Sequence, residues 1–301
     1  MKRRTFVKKS ALTAFSVTAF GAINWNGKSF EGDNVTTTDI LGPFYRPGAP
    51  MRSNLIPKGS TGVVMNLTGT VFQKDGKTPL ANTLIEAWQC DEHEKYDNTS
   101  DDYLFRGAVK TGKDGRYSFK TIVPVPYNDG GTWRPAHIHL RISSGDHQDL
   151  ITQIYFKGDA HIPKDPAAAS PQAINRILEI SKNAANENEV KFDIVMGKAF
   201  PLDDVGYKKI TGIYKLKDGM AEFNREDDLL MLKLNGQLME GLLYKGNNTF
   251  EGGLSYLKVK FEILADGNVK SIITMREWDN ADMTKATATE MEGMKFLKYN
   301  N

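Results

Sequence analysis

Tight-turn dipeptides cut this chain into short runs that read as strands. Asp75-Gly76 and Asp114-Gly115 punctuate the runs Val63–Phe72, Asn82–Gln89 and Arg116–Thr121, and Ala136–Ser143, Leu150–Phe156 and Val190–Met196 follow. Asp-Gly and Asn-Gly pairs tolerate the positive backbone angles that hairpin turns demand, and β-branched or aromatic residues recur between them. The pattern resumes beyond Pro201, where Asp218-Gly219, Asn235-Gly236 and Asp266-Gly267 separate alternating runs such as Leu230–Leu234 and Val259–Ile263. A mostly β protein is therefore expected. Residues 37–200 should form a Greek-key β-sandwich, and residues 201–301 a small antiparallel β-meander or barrel. One helix is expected, with Ser170 as cap, Pro171 in the first position, and Ile174, Ile177, Leu178 and Ile180 at near-helical spacing.

A length of 301 residues suits two domains, and 25% charged against 40% hydrophobic residues excludes a disordered chain. The formal charge of +2 misleads. Of the 39 basic residues, Lys2, Arg3, Arg4, Lys8 and Lys9 precede position 23 without an acidic one, leaving 34 basic against 37 acidic and a balance of −3. A nucleic-acid partner is not expected of such a remainder. Those first residues read as an address. Arg3-Arg4-Thr5-Phe6-Val7-Lys8 precedes an apolar stretch from Ala11 to Ala22 and resembles a twin-arginine export signal. About a dozen apolar residues fall short of the roughly 20 that span a bilayer. The expectation is a signal peptide over residues 1–22, cleaved after Gly21 or Ala22, then a polar linker over 23–36. The mature protein would be periplasmic and soluble, with no membrane partner. Cys90, the single cysteine, precludes an internal disulfide and a cysteine-based zinc knuckle.

All five histidines lie between positions 93 and 161, and none falls in the carboxy-terminal region. In Arg134-Pro135-Ala136-His137-Ile138-His139-Leu140, strand alternation sends His137 and His139 to one face and Ile138 to the other. Two imidazoles on one rigid strand make half of a metal site, although such pairs are common on strand surfaces. Their neighbours sharpen the reading. Trp88-Gln89 is followed by Tyr96, and Gly115-Arg116-Tyr117 leads through Pro124 to Pro126-Tyr127, ten residues ahead of His137. Gly42-Pro43-Phe44-Tyr45 and Gly48-Ala49-Pro50 stand upstream, and Thr152-Gln153-Ile154-Tyr155-Phe156 downstream.

In this order the motifs resemble the intradiol ring-cleavage dioxygenases, the family of catechol 1,2-dioxygenase and protocatechuate 3,4-dioxygenase, from about Thr37 to Met196. The resemblance implies a non-haem iron(III) bound by Tyr96, Tyr127, His137 and His139. Two phenolates and a hydroxide would cancel the charge of a hard trivalent ion. It further implies dioxygen and a small aromatic diol as substrates, with Tyr127 yielding its place to the diol and a muconate-type diacid as product. Arg134 would stabilise charge on the ring, Gln153 would stand beside it, and Phe44, Tyr45 and Pro50 would line the ring pocket. A carboxylated ring would want a second cation, for which Arg46, Arg52 and Arg106 are available.

Each assignment has a plainer counterpart. Tyr103 could replace Tyr96 after a one-loop error, Tyr117 and Trp88 suit the core, Cys90 a half-buried apolar site, and His93, His147 and His161 the solvated surface. Two other functions stay open. One is an exported, non-catalytic metal- or ligand-binding protein on the same sandwich, and the other a zinc or copper hydrolase using His137 and His139. A homo-oligomer is possible, and no partner of the carboxy-terminal domain can be read from the sequence.

Overall fold

The computed structural model describes residues 17–18, 21–25, 30–32, 35–199, 202–253, 256–279 and 282–296. The export-signal reading on residues 1–22 lies almost wholly outside them. Three short strands, β1 (Val17–Thr18), β2 (Gly21–Trp25) and β3 (Phe30–Gly32), pair as a small antiparallel sheet.

Two sheets then pack face to face. The first contains β5 (Leu84–Trp88), β6 (Arg106–Lys110), β10 (His137–Ser143), β11 (Leu150–Phe156) and β12 (Ile177–Leu178), in the order β12-β11-β10-β5-β6. The second is built on β4 (Val64–Phe72), which pairs antiparallel with β7 (Arg116–Ile122) and parallel with β14 (Asn188–Lys191) and β15 (Ile194–Val195); β13 (Ser181–Lys182) joins β14. Strand alternation supplies the core: Leu67, Val71 and Phe119 from one sheet meet Ile85, Ile138, Leu140 and Ile154 from the other, all fully buried. The opposite face of the first sheet carries polar groups, because the run His137-Ile138-His139-Leu140-Arg141 alternates residue by residue. A hairpin of β8 (Tyr127–Asp129) and β9 (Thr132–Arg134) stands beside it.

The expected helix after Ser170 is a shorter object. Ser170 does cap, its Oγ accepting from the Gln172 amide at 3.2 Å, but a 3₁₀ turn ends at Arg176. Ile177 and Leu178 instead pair parallel with Tyr155 and Phe156. Their apolar spacing served a sheet edge rather than a helix face. A helix not foreseen, α1 (Asp204–Ile210), is capped by Asp203, whose Oδ1 accepts from the Gly206 amide at 2.7 Å.

Eight strands follow in sequence and close into a barrel: β16 (Gly212–Leu216), β17 (Gly219–Glu226), β18 (Leu229–Leu234), β19 (Gln237–Tyr244), β20 (Thr249–Glu251), β21 (Leu257–Ile263), β22 (Val269–Asp279) and β23 (Asp282–Lys295). The pairing of β16 with β23 closes it. Its interior is filled, with Tyr214, Phe223, Phe250 and Phe261 in mutual ring contact. The barrel sits on the polar face of the first sheet. Leu229, Met231 and Leu243 of the barrel share one cluster with Leu41, Tyr45, Trp88 and Ile151 of the sandwich.

Candidate metal centre

Strand β10 carries the centre's rigid half. His137 and His139 point to the same face, and their Nε2 atoms lie 3.1 Å apart. On the adjacent strand Trp88 is in register with His139, and the two rings stack at 4.9 Å and 6°. On the other side Gln153 is opposite His139 and Tyr155 opposite His137. Tyr127 begins the β8–β9 hairpin, whose register sets Arg134 directly across from it.

Tyr96 comes from the loop between β5 and β6, and its hydroxyl is 3.2 Å from His137 Nε2. The Tyr96 and Tyr127 rings meet edge to face at 5.4 Å. All four side chains singled out by the motifs are thus brought together. Tyr103 is not among them: its hydroxyl donates to the Pro47 carbonyl at 3.2 Å.

The hydrogen bonding tests whether this set suits a cation. His137 Nδ1 lies 2.6 Å from the Pro135 carbonyl, which can only accept, so Nδ1 of the neutral ring carries the proton and Nε2 a lone pair. Both imidazoles are held neutral. Burial, with Arg134 adding, pushes His137 down to about 3, and burial with His137 beside it pushes His139 well below the usual range. Tyr96 and His139 then compete for the single lone pair of His137, and His139 Nδ1 is buried without a hydrogen-bond partner among the described residues. Protein groups alone leave the cluster badly satisfied, whereas a cation would accept the converging lone pairs. Burial raises Tyr96 well above the ordinary phenol range and Tyr127 up to about 12, so a strong Lewis acid is needed to hold them as phenolates. Among the described residues no three His, Cys, Asp or Glu side chains cluster as a metal site. Hard phenolate donors beside two imidazoles suit a trivalent ion and are unusual for zinc.

Arg134 is fixed beside the four. Its Nε donates to Asp165 at 2.5 Å and Nη2 to Gln153 Oε1 at 3.2 Å. Burial works against its charge, and Asp165, Tyr155, Tyr127 and Asp39 more than offset that, so the guanidinium holds its proton more tightly than usual. Gln153 is pinned in turn, donating from Nε2 to the Ile40 carbonyl at 2.8 Å, with its Oε1 3.0 Å from the Tyr155 hydroxyl. Asp165, buried in the loop after β11, was missed. No motif marks it, and only the fold brings it 31 positions back to Arg134.

The expected pocket wall divides. Phe44 stacks on Tyr96 at 4.4 Å and meets Tyr127 edge-on at 6.2 Å, beside the centre. Tyr45 turns the other way: its ring packs on Trp88 and its hydroxyl accepts from Arg141 at 2.6 Å and donates to Glu226 at 3.0 Å. Pro43 and Phe44 form a turn that sends the Phe44 ring to the centre and the Tyr45 ring to the barrel side. Pro50 lies against β6, its carbonyl accepting from the Ala108 amide. The three spare cations are also spoken for. Arg106 donates to the Phe44 and Asp97 carbonyls and Asn98, Arg46 to the Asp97 and Ser100 carbonyls, and Arg52 to the Asp102, Tyr103 and Arg106 carbonyls. All three organise the loop that delivers Tyr96. Cys90 is fully rather than half buried, at 1% exposure. Tyr117 bonds the Phe192 carbonyl in the core, and His161 stacks on Trp133.

The family model described as Dioxygenase matches residues 40–198, ending before the barrel. A chlorocatechol 1,2-dioxygenase of Rhodococcus opacus is 35% identical over 188 residues, 54% of this chain and 72% of that protein. A 6-chlorohydroxyquinol 1,2-dioxygenase of Cupriavidus pinatubonensis is 30% identical over 184 residues, covering 54% of this chain and 64% of that one. The solved catechol 1,2-dioxygenase of an Acinetobacter species shares the fold with a TM-score of 0.51 at 23% identity, over 67% of this chain and 71% of that one.

Proposed function

The chain belongs to the intradiol ring-cleavage dioxygenase family, and from that premise we propose that it opens a catechol-type diol between its hydroxyl-bearing carbons. Dioxygen supplies both added oxygen atoms, and a muconate-type diacid leaves. The observation that carries the proposal is the convergence on His137 Nε2 of His139 Nε2 at 3.1 Å and the Tyr96 hydroxyl at 3.2 Å, with the Tyr127 ring edge-on to Tyr96 at 5.4 Å. These four residues would hold ferric iron, which would supply the Lewis acidity that makes a bound diol reactive toward dioxygen.

The protein's own groups do the rest. Tyr127 stands across from Arg134 in the hairpin register, and held as a phenolate its oxygen could take a proton from the incoming diol. Arg134, locked by Asp165 and Gln153, presents a fixed cation where negative charge develops on the ring. Phe44 closes one side of the space with an apolar ring. Because Arg46, Arg52 and Arg106 all bind backbone carbonyls, a ring carboxylate would find none of them waiting. The substrate class proposed is therefore an uncarboxylated catechol. The protein would act after export, as a periplasmic enzyme.

Full-length protein produced with iron should bind the metal through these residues and show the reddish absorption of a tyrosinate–iron(III) pair, lost in Tyr96→Phe. Oxygen uptake should accompany catechol, and protocatechuate should react at least about tenfold more slowly, since its carboxylate would be buried unpaired. A colourless protein that prefers zinc or copper overturns the proposal. Iron binding without oxygen uptake on any diol would replace it with the non-catalytic binding protein.

A further inference from the structure

Residues 39–45 run between the carboxy-terminal barrel and the centre and touch both. Asp39 bonds back to β11, its amide donating to the Ile151 carbonyl at 2.9 Å, while its carboxylate takes the Tyr155 hydroxyl at 2.9 Å and Arg176. The next residues serve the centre. The Ile40 carbonyl receives Gln153 Nε2, and a Cβ on Gly42 would sit 3.2 Å from His139 Cε1. The Phe44 carbonyl holds Arg106 at 2.6 Å while its ring covers Tyr96. Any slack in this segment is transmitted to Gln153, His139 and Tyr96 together.

What fixes its middle is the barrel. Glu240 Oε1 accepts the Leu41 amide at 2.7 Å and the Gly241 amide at 3.0 Å. Glu240 follows a bulge in β19, where the register passes from Lys233↔Leu238 to Leu232↔Glu240 and leaves Met239 unpaired. It is 1% exposed. Glycines let the barrel come this close: a Cβ on Gly253 would fall 2.0 Å from the Asp39 carbonyl group, and one on Gly252 would fall 2.6 Å from Glu240 Cγ. We propose that Glu240 is a positioning residue of the dioxygenase, through which the barrel holds residues 39–45 against the centre. The barrel is then a working part of the ring-cleaving enzyme rather than a separate recognition module, an inference that rests on the proposed activity. Burial, with Asp39 nearby, pushes the Glu240 carboxyl up to about 8, so the group that accepts both amides near neutrality is largely the neutral acid. Gln reproduces its shape and its accepting oxygen.

The test compares full-length wild type with Glu240→Gln, Glu240→Ala and Gly253→Ala, and with Val259→Ala in the barrel interior as a stability control. Hydrogen exchange at the Leu41 amide is read alongside kcat, KM and the visible absorption with catechol. Glu240→Ala and Gly253→Ala should each speed Leu41 exchange and lower kcat by about tenfold or more, shifting the visible absorption. Glu240→Gln should keep all three near wild type. Val259→Ala should lower the melting temperature without touching any of them. Unchanged exchange and kcat in both Glu240→Ala and Gly253→Ala overturn the proposal, as does an equal loss of kcat in Val259→Ala. If Glu240→Ala does not fold, Glu240→Gln against Gly253→Ala decides. If wild type cleaves no diol, the functional reading fails while Leu41 exchange still tests the clamp.

Discussion

Glu240 carries out its work without a counter-charge, since its described hydrogen bonds are to two backbone amides. Its carboxyl titrates near 8 in the folded chain because burial penalises the anion, against about 4.5 for a free glutamate. The folded state therefore binds more protons than the unfolded one between those values, and the stability Glu240 contributes is present below about pH 4.5 and is lost as pH rises toward 8. Relative to Glu240→Gln, wild type should lose about 1.4 kcal/mol per pH unit through that window, measured by urea denaturation at several pH values. A difference independent of pH would refute the assignment. His137 is held neutral by the same burial, but with the opposite consequence for its chemistry: a neutral imidazole whose Nδ1 is committed to Pro135 keeps Nε2 as a donor of electrons.

At the scale of elements, alternation on β10 and β11 sorts chemistry from core. Ile138, Leu140 and Ile142 fill the sandwich while His137, His139 and Arg141 line the covered face, so one strand serves the centre at one end and the barrel contact at the other. Strand β4 depends on a different constraint. The chain leaving β14 crosses it at Gly69, where an added Cβ would lie 1.9 Å from the Phe192 carbonyl oxygen and 2.9 Å from the Tyr117 ring. The Phe192 oxygen also accepts the Tyr117 hydroxyl at 2.7 Å, so it has no free direction in which to retreat. Gly69→Ala should cost about 3 kcal/mol by denaturant titration, with the crossing forced open. A near-neutral result would mean that the crossing yields easily.

For the molecule as a whole, Arg141 is the charge on which the two regions meet. Its guanidinium, 2% exposed, faces Asp149 and Asp227 at 3.0 Å, Glu226 at 3.1 Å and Glu86 at 3.5 Å. Two of these carboxylates come from the sandwich and two from the barrel. Burial raises Glu86 and Asp149 despite the cation, a sign that they are short of compensation already. Arg141→Met should destabilise the protein by about 3–5 kcal/mol, because it strands the buried Glu86 and Asp149 without their cation. Calorimetry should show sandwich and barrel melting together in wild type. Separate melting of the two in wild type would mean that the contact is incidental.

The strands of both regions were legible because a period of two is written into the residues themselves, and the cluster of Tyr96, Tyr127, His137 and His139 because its motifs keep their order along the chain. Turn chemistry placed the barrel hairpins at Asp218-Gly219, Asn235-Gly236 and Asp266-Gly267, where they occur. The helix after Ser170 was misjudged, since Ile177 and Leu178 owe their apolar character to Tyr155 and Phe156, partners that no local window contains. For the same reason Tyr45 could not be told from Phe44, nor Asp165 found, nor the cations of Arg46, Arg52 and Arg106 seen to be committed to carbonyls. Periodicity and motif order are properties of neighbours in the chain. Which carboxylate meets Arg134, and which strand grips Leu41, are contacts between distant positions, and only packing sets those.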